Sequence, residues 1–178
     1  SDRTLKLPSD GDGTILTTNS ATGKILQVKQ TVKTDVSSRG GSSGSDSLAA
    51  IPGLSVDITP SATSSKILVM VNIKQGETSN AWARYQLQRD STAIYLGDTA
   101  SGKTPCSNFT YVSSEYRMNN VEEQFLDSPN TTSQITYQVY WGARGRSGTI
   151  AYINRIGQDS GDYAPRTASS ITAIEVAA

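Results

Sequence analysis

The feature that most narrows the folds open to this chain is the recurrence of short runs rich in Val, Ile, Thr and aromatic residues, each closed off by Gly, Pro, Ser, Asn or Asp. Such punctuation reads as strands joined by polar turns in a sandwich or barrel, because β-branched and aromatic side chains suit a pleated surface and turn residues supply the reversals. The runs fall at 24–33, 54–59, 65–74, 81–89, 92–96, 108–113, 121–127, 134–141, 149–154 and 170–176. No segment spaces its apolar residues as a helix would. The expected class is all-β, an antiparallel sandwich, and 178 residues suffice to bury its core without disulfides or metal.

Side chains two apart on a strand share a face, so alternation sorts each run into two sides. Ile135, Tyr137, Val139 and Trp141 form one such set. Leu26, Val28 and Val32 form another, as do Leu54, Val56 and Ile58, then Ala83, Tyr85 and Leu87, and finally Ile174 and Val176; all are expected in the core. Ile67-Leu68-Val69-Met70-Val71 differs, being apolar on both sides, and a second sheet layer or a neighbouring subunit must cover its other face. Two stretches lie outside the pattern. Residues 1–23 read as an extension, the end of an upstream repeating element, preceding a domain over 24–178, and the Ser- and Gly-rich 36–49 reads as a long surface loop.

Composition removes several chemistries. Lys and Arg together equal Asp and Glu at 16 each, so no basic footprint for nucleic acid or an acidic membrane is expected. There is no histidine, which takes away the commonest general base and zinc ligand, and the one cysteine, Cys106, excludes an internal disulfide. No run of apolar residues is long enough for a membrane helix, and no basic-then-apolar signal pattern opens the visible sequence, so no membrane insertion is expected.

Gly97-Asp98-Thr99-Ala100-Ser101-Gly102-Lys103-Thr104 satisfies the phosphate-loop pattern GxxxxGK[ST]. A phosphate loop needs a helix at once after it, to add its amides and dipole around the phosphates. Here Pro105 follows, then the β-rich 106–112, so the match reads as a polar inter-strand loop, and Lys103→Ala is expected to leave folding and function nearly unchanged. The acidic pairs Asp10 with Asp12, Glu122 with Glu123, and Asp159 with Asp162 match no complete calcium loop and are read as solvated carboxylates. Glu122 and Glu123 are neighbours on a strand and point to opposite faces, so they cannot flank one glycosidic bond. No catalytic residue and no cofactor or metal site is expected.

The candidate site is a set of aromatic and cationic residues outside the assigned core faces. Trp82 lies opposite the Ala83, Tyr85, Leu87 side, Tyr111, Tyr116 and Tyr163 lie in or beside polar loops, and Arg117, Arg144 and Arg146 stand near them. Exposed Trp and Tyr beside Arg recur in surfaces that bind glycan rings or protein hot spots, although such rings equally close sandwich ends or fill subunit interfaces.

A resemblance adds to this reading. Gly23-Lys24-Ile25-Leu26-Gln27-Val28-Lys29-Gln30-Thr31-Val32-Lys33-Thr34-Asp35 resembles the opening of a domain found at the C-terminal end of bacteriophage tail fibres and other virion proteins, especially of marine phages. Further blocks follow in the same order: Leu54-Ser55-Val56-Asp57-Ile58-Thr59-Pro60-Ser61, Ser65-Lys66-Ile67-Leu68-Val69-Met70-Val71, Arg89-Asp90-Ser91-Thr92, Phe125-Leu126-Asp127-Ser128-Pro129, Tyr152-Ile153-Asn154-Arg155 and Ser170-Ile171-Thr172-Ala173-Ile174-Glu175-Val176. The resemblance implies a jelly-roll-like sandwich, assembled as a homotrimer on a virion fibre beside other tail or fibre proteins. It also implies a non-enzymatic role in attachment to a host surface glycan or protein. Receptor choice would lie in the inter-block loops 37–47, 76–80, 97–107, 114–120 and 142–148. The alternatives are a capsid or collar decoration protein, a tail-associated polysaccharide depolymerase, and a trimeric cellular domain of the complement-globular or tumour-necrosis-factor type.

Overall fold

The computed structural model describes residues 24–41, 47–78, 80–145 and 148–177. Eleven strands follow one another: β1 (Ile25–Lys33), β2 (Ser37–Gly40), β3 (Ala49–Ile58), β4 (Lys66–Glu77), β5 (Ala81–Arg89), β6 (Thr92–Ile94), β7 (Asn108–Val112), β8 (Met118–Asp127), β9 (Ile135–Gly145), β10 (Ile150–Ile153) and β11 (Ser169–Val176). Each pairs antiparallel with its counterpart from the other end of the chain: β1 with β11, β2 with β10, β3 with β9, β4 with β8, and β5 with β7, while β6 folds back on β5. The chain is thus one long hairpin. Lateral pairing of β11 and β10 with β4, and of β9 with β5, rolls that hairpin into two sheets, the nested arrangement of a jelly roll. One sheet carries β1, β11, β4, β8, β10 and β2, and the other β3, β9, β5, β6 and β7.

The core fills from one face of each sheet. Ile67, Val69, Val71, Ile73, Val121, Ile171 and Ala173 meet Leu54, Val56, Ile58, Tyr85, Leu87, Ile135, Tyr137, Val139 and Trp141 across the sandwich. β4 is long because it serves two partners along one edge: β11 opposite its first half, β10 opposite its end. Asn154 fills the join between them. Its backbone, at φ 67°, donates to the Lys74 carbonyl at 2.8 Å, and its buried amide donates to the carbonyls of Lys33 and Asp35 and accepts from the Ser169 hydroxyl at 2.6 Å. Asparagine tolerates that left-handed conformation better than most residues, which suits it to the position.

Several expectations are corrected. Leu26, Val28 and Val32 point outward and are 43%, 55% and 55% exposed, and Ile174 and Val176 also lie on the outer side, the inner positions of β11 being Ile171, Ala173 and Glu175. Alternation assigns residues to a common face but not to the covered one. β1 is an edge strand held by β11 alone within its sheet, and the phase that packs Ile171 and Ala173 inward turns Ile174 and its partner Val28 out. Lys33 is buried instead, its ammonium 2.6 Å from Asp35, which holds the Asp35 carboxyl below its ordinary range. Within 36–49 a strand forms at Ser37–Gly40 and another starts at Ala49; the four residues of β2 carry no apolar alternation and are strand only because β10 pairs with them. Strands also extend into the supposed loops, β4 to Glu77 and β9 to Gly145. Glu123 is not solvated but buried on the inner face of β8, and Asp159 pairs with both Arg155 and Arg166, the latter at 2.6 Å. The extension 1–23, with Asp10 and Asp12, and the loop centre 42–46 lie outside the described residues.

Among the described residues the doubly apolar strand is covered on one side only. Ile67, Val69 and Val71 face the second sheet, while Leu68 joins Val28, Ile174 and Leu126 in a row across the outer face, and Met70 is 38% exposed beside it.

Candidate binding surface

The outer face of the second sheet is set by registry. β5 points Ala81, Ala83, Tyr85 and Leu87 inward, so Trp82 and Arg84 point out. Opposite Trp82 stand Tyr111 on β7 and Arg144 on β9; opposite Arg84 stand Phe109 and Gly142. Cross-strand neighbours sit close enough to interact. The Trp82 and Phe109 rings meet edge to face with centroids 6.2 Å apart and planes at 81°, and the Arg144 guanidinium lies 5.9 Å from the centroid of the Trp82 ring. Trp82, Phe109 and Tyr111 are each about half exposed, a cost in exposed apolar area that nothing in the described chain offsets. The Tyr111 hydroxyl donates to the Asn80 side chain at 2.9 Å.

The loop between β6 and β7 overhangs this face. It is pinned at its root, where Gly97 N–H donates to the Cys106 carbonyl at 3.2 Å, Ser107 N–H donates to the Tyr85 carbonyl at 2.9 Å, and the Ser107 hydroxyl accepts from Leu87 N–H at 2.9 Å. At its tip Lys103 N–H closes a turn on the Ala100 carbonyl at 3.0 Å, with Gly102 at φ 68°, a conformation that glycine adopts without penalty. No helix follows, so this stretch is an inter-strand loop, as its sequence context implied. Between loop and sheet lies an open cleft of about 390 Å³ lined by Trp82, Arg84, Lys103, Cys106, Phe109 and Arg144, with Ala83, Gly102, Thr104 and Gly142 at its floor and rim. Among the described residues its lining includes three cations and no carboxylate.

The structure divides the sequence candidates. Trp82, Tyr111 and Arg144 come together on this face. Tyr116 and Tyr163 meet each other instead, ring centroids 6.4 Å apart, where the β7–β8 and β10–β11 loops converge, with Arg117 exposed next to Tyr116 in the chain. Arg146 lies outside the described residues. Phe109, Arg84 and Lys103 were missed as site residues. Phe109 lies two residues from Tyr111 and Arg84 two from Trp82, so period-two alternation could have found both; the placement of Lys103 depends on the fold of its loop. Among the described residues no group of His, Cys, Asp and Glu is arranged to hold a metal ion.

No protein-family model and no curated protein sequence matches the chain. Among solved structures it is similar to that of infectious bursal disease virus Gx strain, with a TM-score of 0.48 at 12% identity over 97% of this chain and 42% of that one. It is also similar to the infectious bursal disease virus VP2 subviral particle, with a TM-score of 0.43 at 12% identity over 96% of this chain and 48% of that one. The chain spans less than half the length of either. No residue's role is carried over from them.

Proposed function

We propose that this chain is the attachment head of a virion appendage, a bacteriophage tail fibre, and that it binds a host surface glycan or protein without cleaving it. The observation that carries the reading is the cleft on the outer face of the second sheet, where half-exposed Trp82 and Phe109 stand beside Arg144 on strands that the core holds rigid. Rings placed this way give a large contact area at little entropic cost, and recognition on a stiff scaffold needs no ordering of the site. The sequence resemblance to fibre heads over most of 23–178 supports the same reading. A binding rather than a hydrolytic role is supported by the lining of the cleft, which among the described residues holds no carboxyl group, because glycoside hydrolysis calls for two flanking the scissile bond. Purified protein is expected to compete with virus for host cells and to release no saccharide. Trp82→Ala is expected to cut adsorption about tenfold or more at unchanged melting temperature. Failure to compete, or oligosaccharide release abolished by a single carboxylate substitution, would overturn the reading.

Self-association as a homotrimer belongs to the same proposal. The row Val28, Ile174, Leu68 and Leu126 leaves apolar surface open on the first sheet, with Val28 and Leu126 each 55% exposed, and closed cyclic symmetry covers such a surface without open-ended assembly. Three sites on one axis would raise avidity by about 10²-fold where receptor spacing allows. Light scattering is expected to give three times the 18.9 kDa chain mass, and a dilution-independent monomer would refute the trimer.

A further inference from the structure

The cleft's chemistry narrows its ligand, an inference that rests on the attachment reading of the same surface. We infer that it takes a negatively charged saccharide, one whose pyranose ring stacks in the corner between Trp82 and Phe109 while a carboxylate or sulfate meets Lys103 and Arg144. Lys103 reaches the cleft from the loop and Arg144 from the sheet, and two cations bordering one small space favour an anionic ligand. The chain as a whole has no net charge, so two such cations in a cleft whose described lining holds no carboxylate are a local feature and not the spill-over of a basic surface. The two ring planes, 81° apart, make a corner with one apolar wall for a sugar face and another for its edge. A volume near 390 Å³ falls at the low end of the range of about 300–1,000 Å³ for small-ligand sites, which suits a short saccharide segment.

Aromatic rings beside cations also suit single-stranded nucleic acid, which needs a basic groove that tracks the backbone from ring to ring. Among the described residues the sheet offers no such track past Arg84. Beyond Arg84 the outward rows continue with Gln86 beside Tyr140, then Gln88 beside Gln138 and Ser55, and end at Thr136 beside Asp57, without a further cation. The phosphate-loop match acquires a different meaning here. Its Gly102 permits the turn that carries Lys103 to the cleft, so Lys103 bears on attachment, contrary to the expectation from sequence, while folding should stay indifferent to it.

The test is calorimetric titration of the full chain with a panel of uronate-, sialate- and sulfate-bearing oligosaccharides, each set against its esterified or desulfated neutral counterpart, with a thymidine oligonucleotide as a further probe. At least one acidic probe is expected to bind about tenfold or more tightly than its neutral counterpart, a gap that narrows as salt rises. Arg144→Gln and Lys103→Gln should each remove most of that preference and leave the neutral probe's affinity alone, whereas Trp82→Ala should weaken both. Uronate against sulfate binding in the same panel identifies the anion. Equal affinity for acidic and neutral partners, no saturable binding to any acidic probe, or tighter binding of the oligonucleotide would each overturn the inference. Any of these results in a protein that still competes with virus for host cells would leave the attachment reading standing; loss of that competition would remove both.

Discussion

Replacing Asp127 with alanine is expected to destabilise the protein by about 3–5 kcal/mol, the range for breaking a buried ion pair by deleting one partner. Asp127 ends β8 on the first sheet, and both of its oxygens are engaged from the second. Arg89 on β5 donates through Nη1 to Oδ1 and Oδ2 at 2.9 and 2.7 Å, and the hydroxyl of fully buried Tyr137 on β9 donates to Oδ2 at 2.6 Å. One carboxylate thus ties two strands of one sheet to the edge of the other. Its loss strands the Tyr137 hydroxyl inside the sandwich, with Arg89 better placed because a quarter of its side chain already meets solvent. In a chain of this size the melting temperature should fall by roughly 10 °C or more. Thermal unfolding of Asp127→Ala, Arg89→Ala and the double variant decides the matter: an additive double variant, or a fall under about 2 °C for Asp127→Ala, would show that the clamp contributes nothing.

Stability is also expected to decline as pH rises from about 5 to about 9, the reverse of ordinary acid denaturation. Glu123 is buried on the inner face of β8, and among the described residues neither of its carboxyl oxygens meets a hydrogen-bond donor. Burial pushes its carboxyl up to about 7. Glu77, at the end of β4, is pushed up by burial to about 8 even though the Gln75 amide and the Val112 N–H donate to it. Both groups hold their protons to a higher pH in the fold than in the unfolded chain, where they ionise near 4.5. Their contribution is therefore fully present below that value, is lost as pH climbs through 7 and 8, and is level above. For Glu123 alone the loss is on the order of 3 kcal/mol. Glu175 works in the opposite sense: burial pushes its carboxyl up, but donors from Gln27, Ser65 and Ser61 outweigh burial and hold it below 4.5, so its contribution is lost on the acid side. Maximum stability should thus lie near pH 5. Urea midpoints from pH 4 to 9 check the profile. Glu123→Gln should flatten the alkaline limb, and Glu122→Gln, an outward side chain bonded to Asn72 at 3.2 Å, should leave it unchanged. An alkaline limb that survives in both Glu123→Gln and Glu77→Gln would assign it to other groups.

The two carboxylates also mark the limit of what was legible in the sequence. That Glu122 and Glu123 face opposite ways follows from strand geometry alone, and the structure agrees. That the inward one is Glu123 and lies buried against the second sheet does not. A sequence reader sees a charged pair and assigns it to water, because an unpaired buried carboxylate is costly; neutralisation by a shifted pKa is visible only once the burial is known. The aromatic site was half legible for a related reason. Trp82 stood out as polar-side Trp on a strand with a clear inner face, but Arg144 became its partner through the β5–β9 register, and Lys103 through a loop that folds back over the sheet.

What the sequence by itself determined is everything that depends on neighbours one or two residues apart: the β class, the limits of β5 and most of β8 and β9, and the shared faces of Leu54, Val56 and Ile58 and of Ile135, Tyr137, Val139 and Trp141. Only the tertiary structure decided which face of β1 is covered, that Ser37–Gly40 is a strand, and which cations reach the Trp82 cleft. In a chain rolled up as one long hairpin, the partner that settles a residue's burial lies at the far end of the sequence, as Ile174 does for Val28. Alternation is a local property of the backbone, and burial is a property of the pairing.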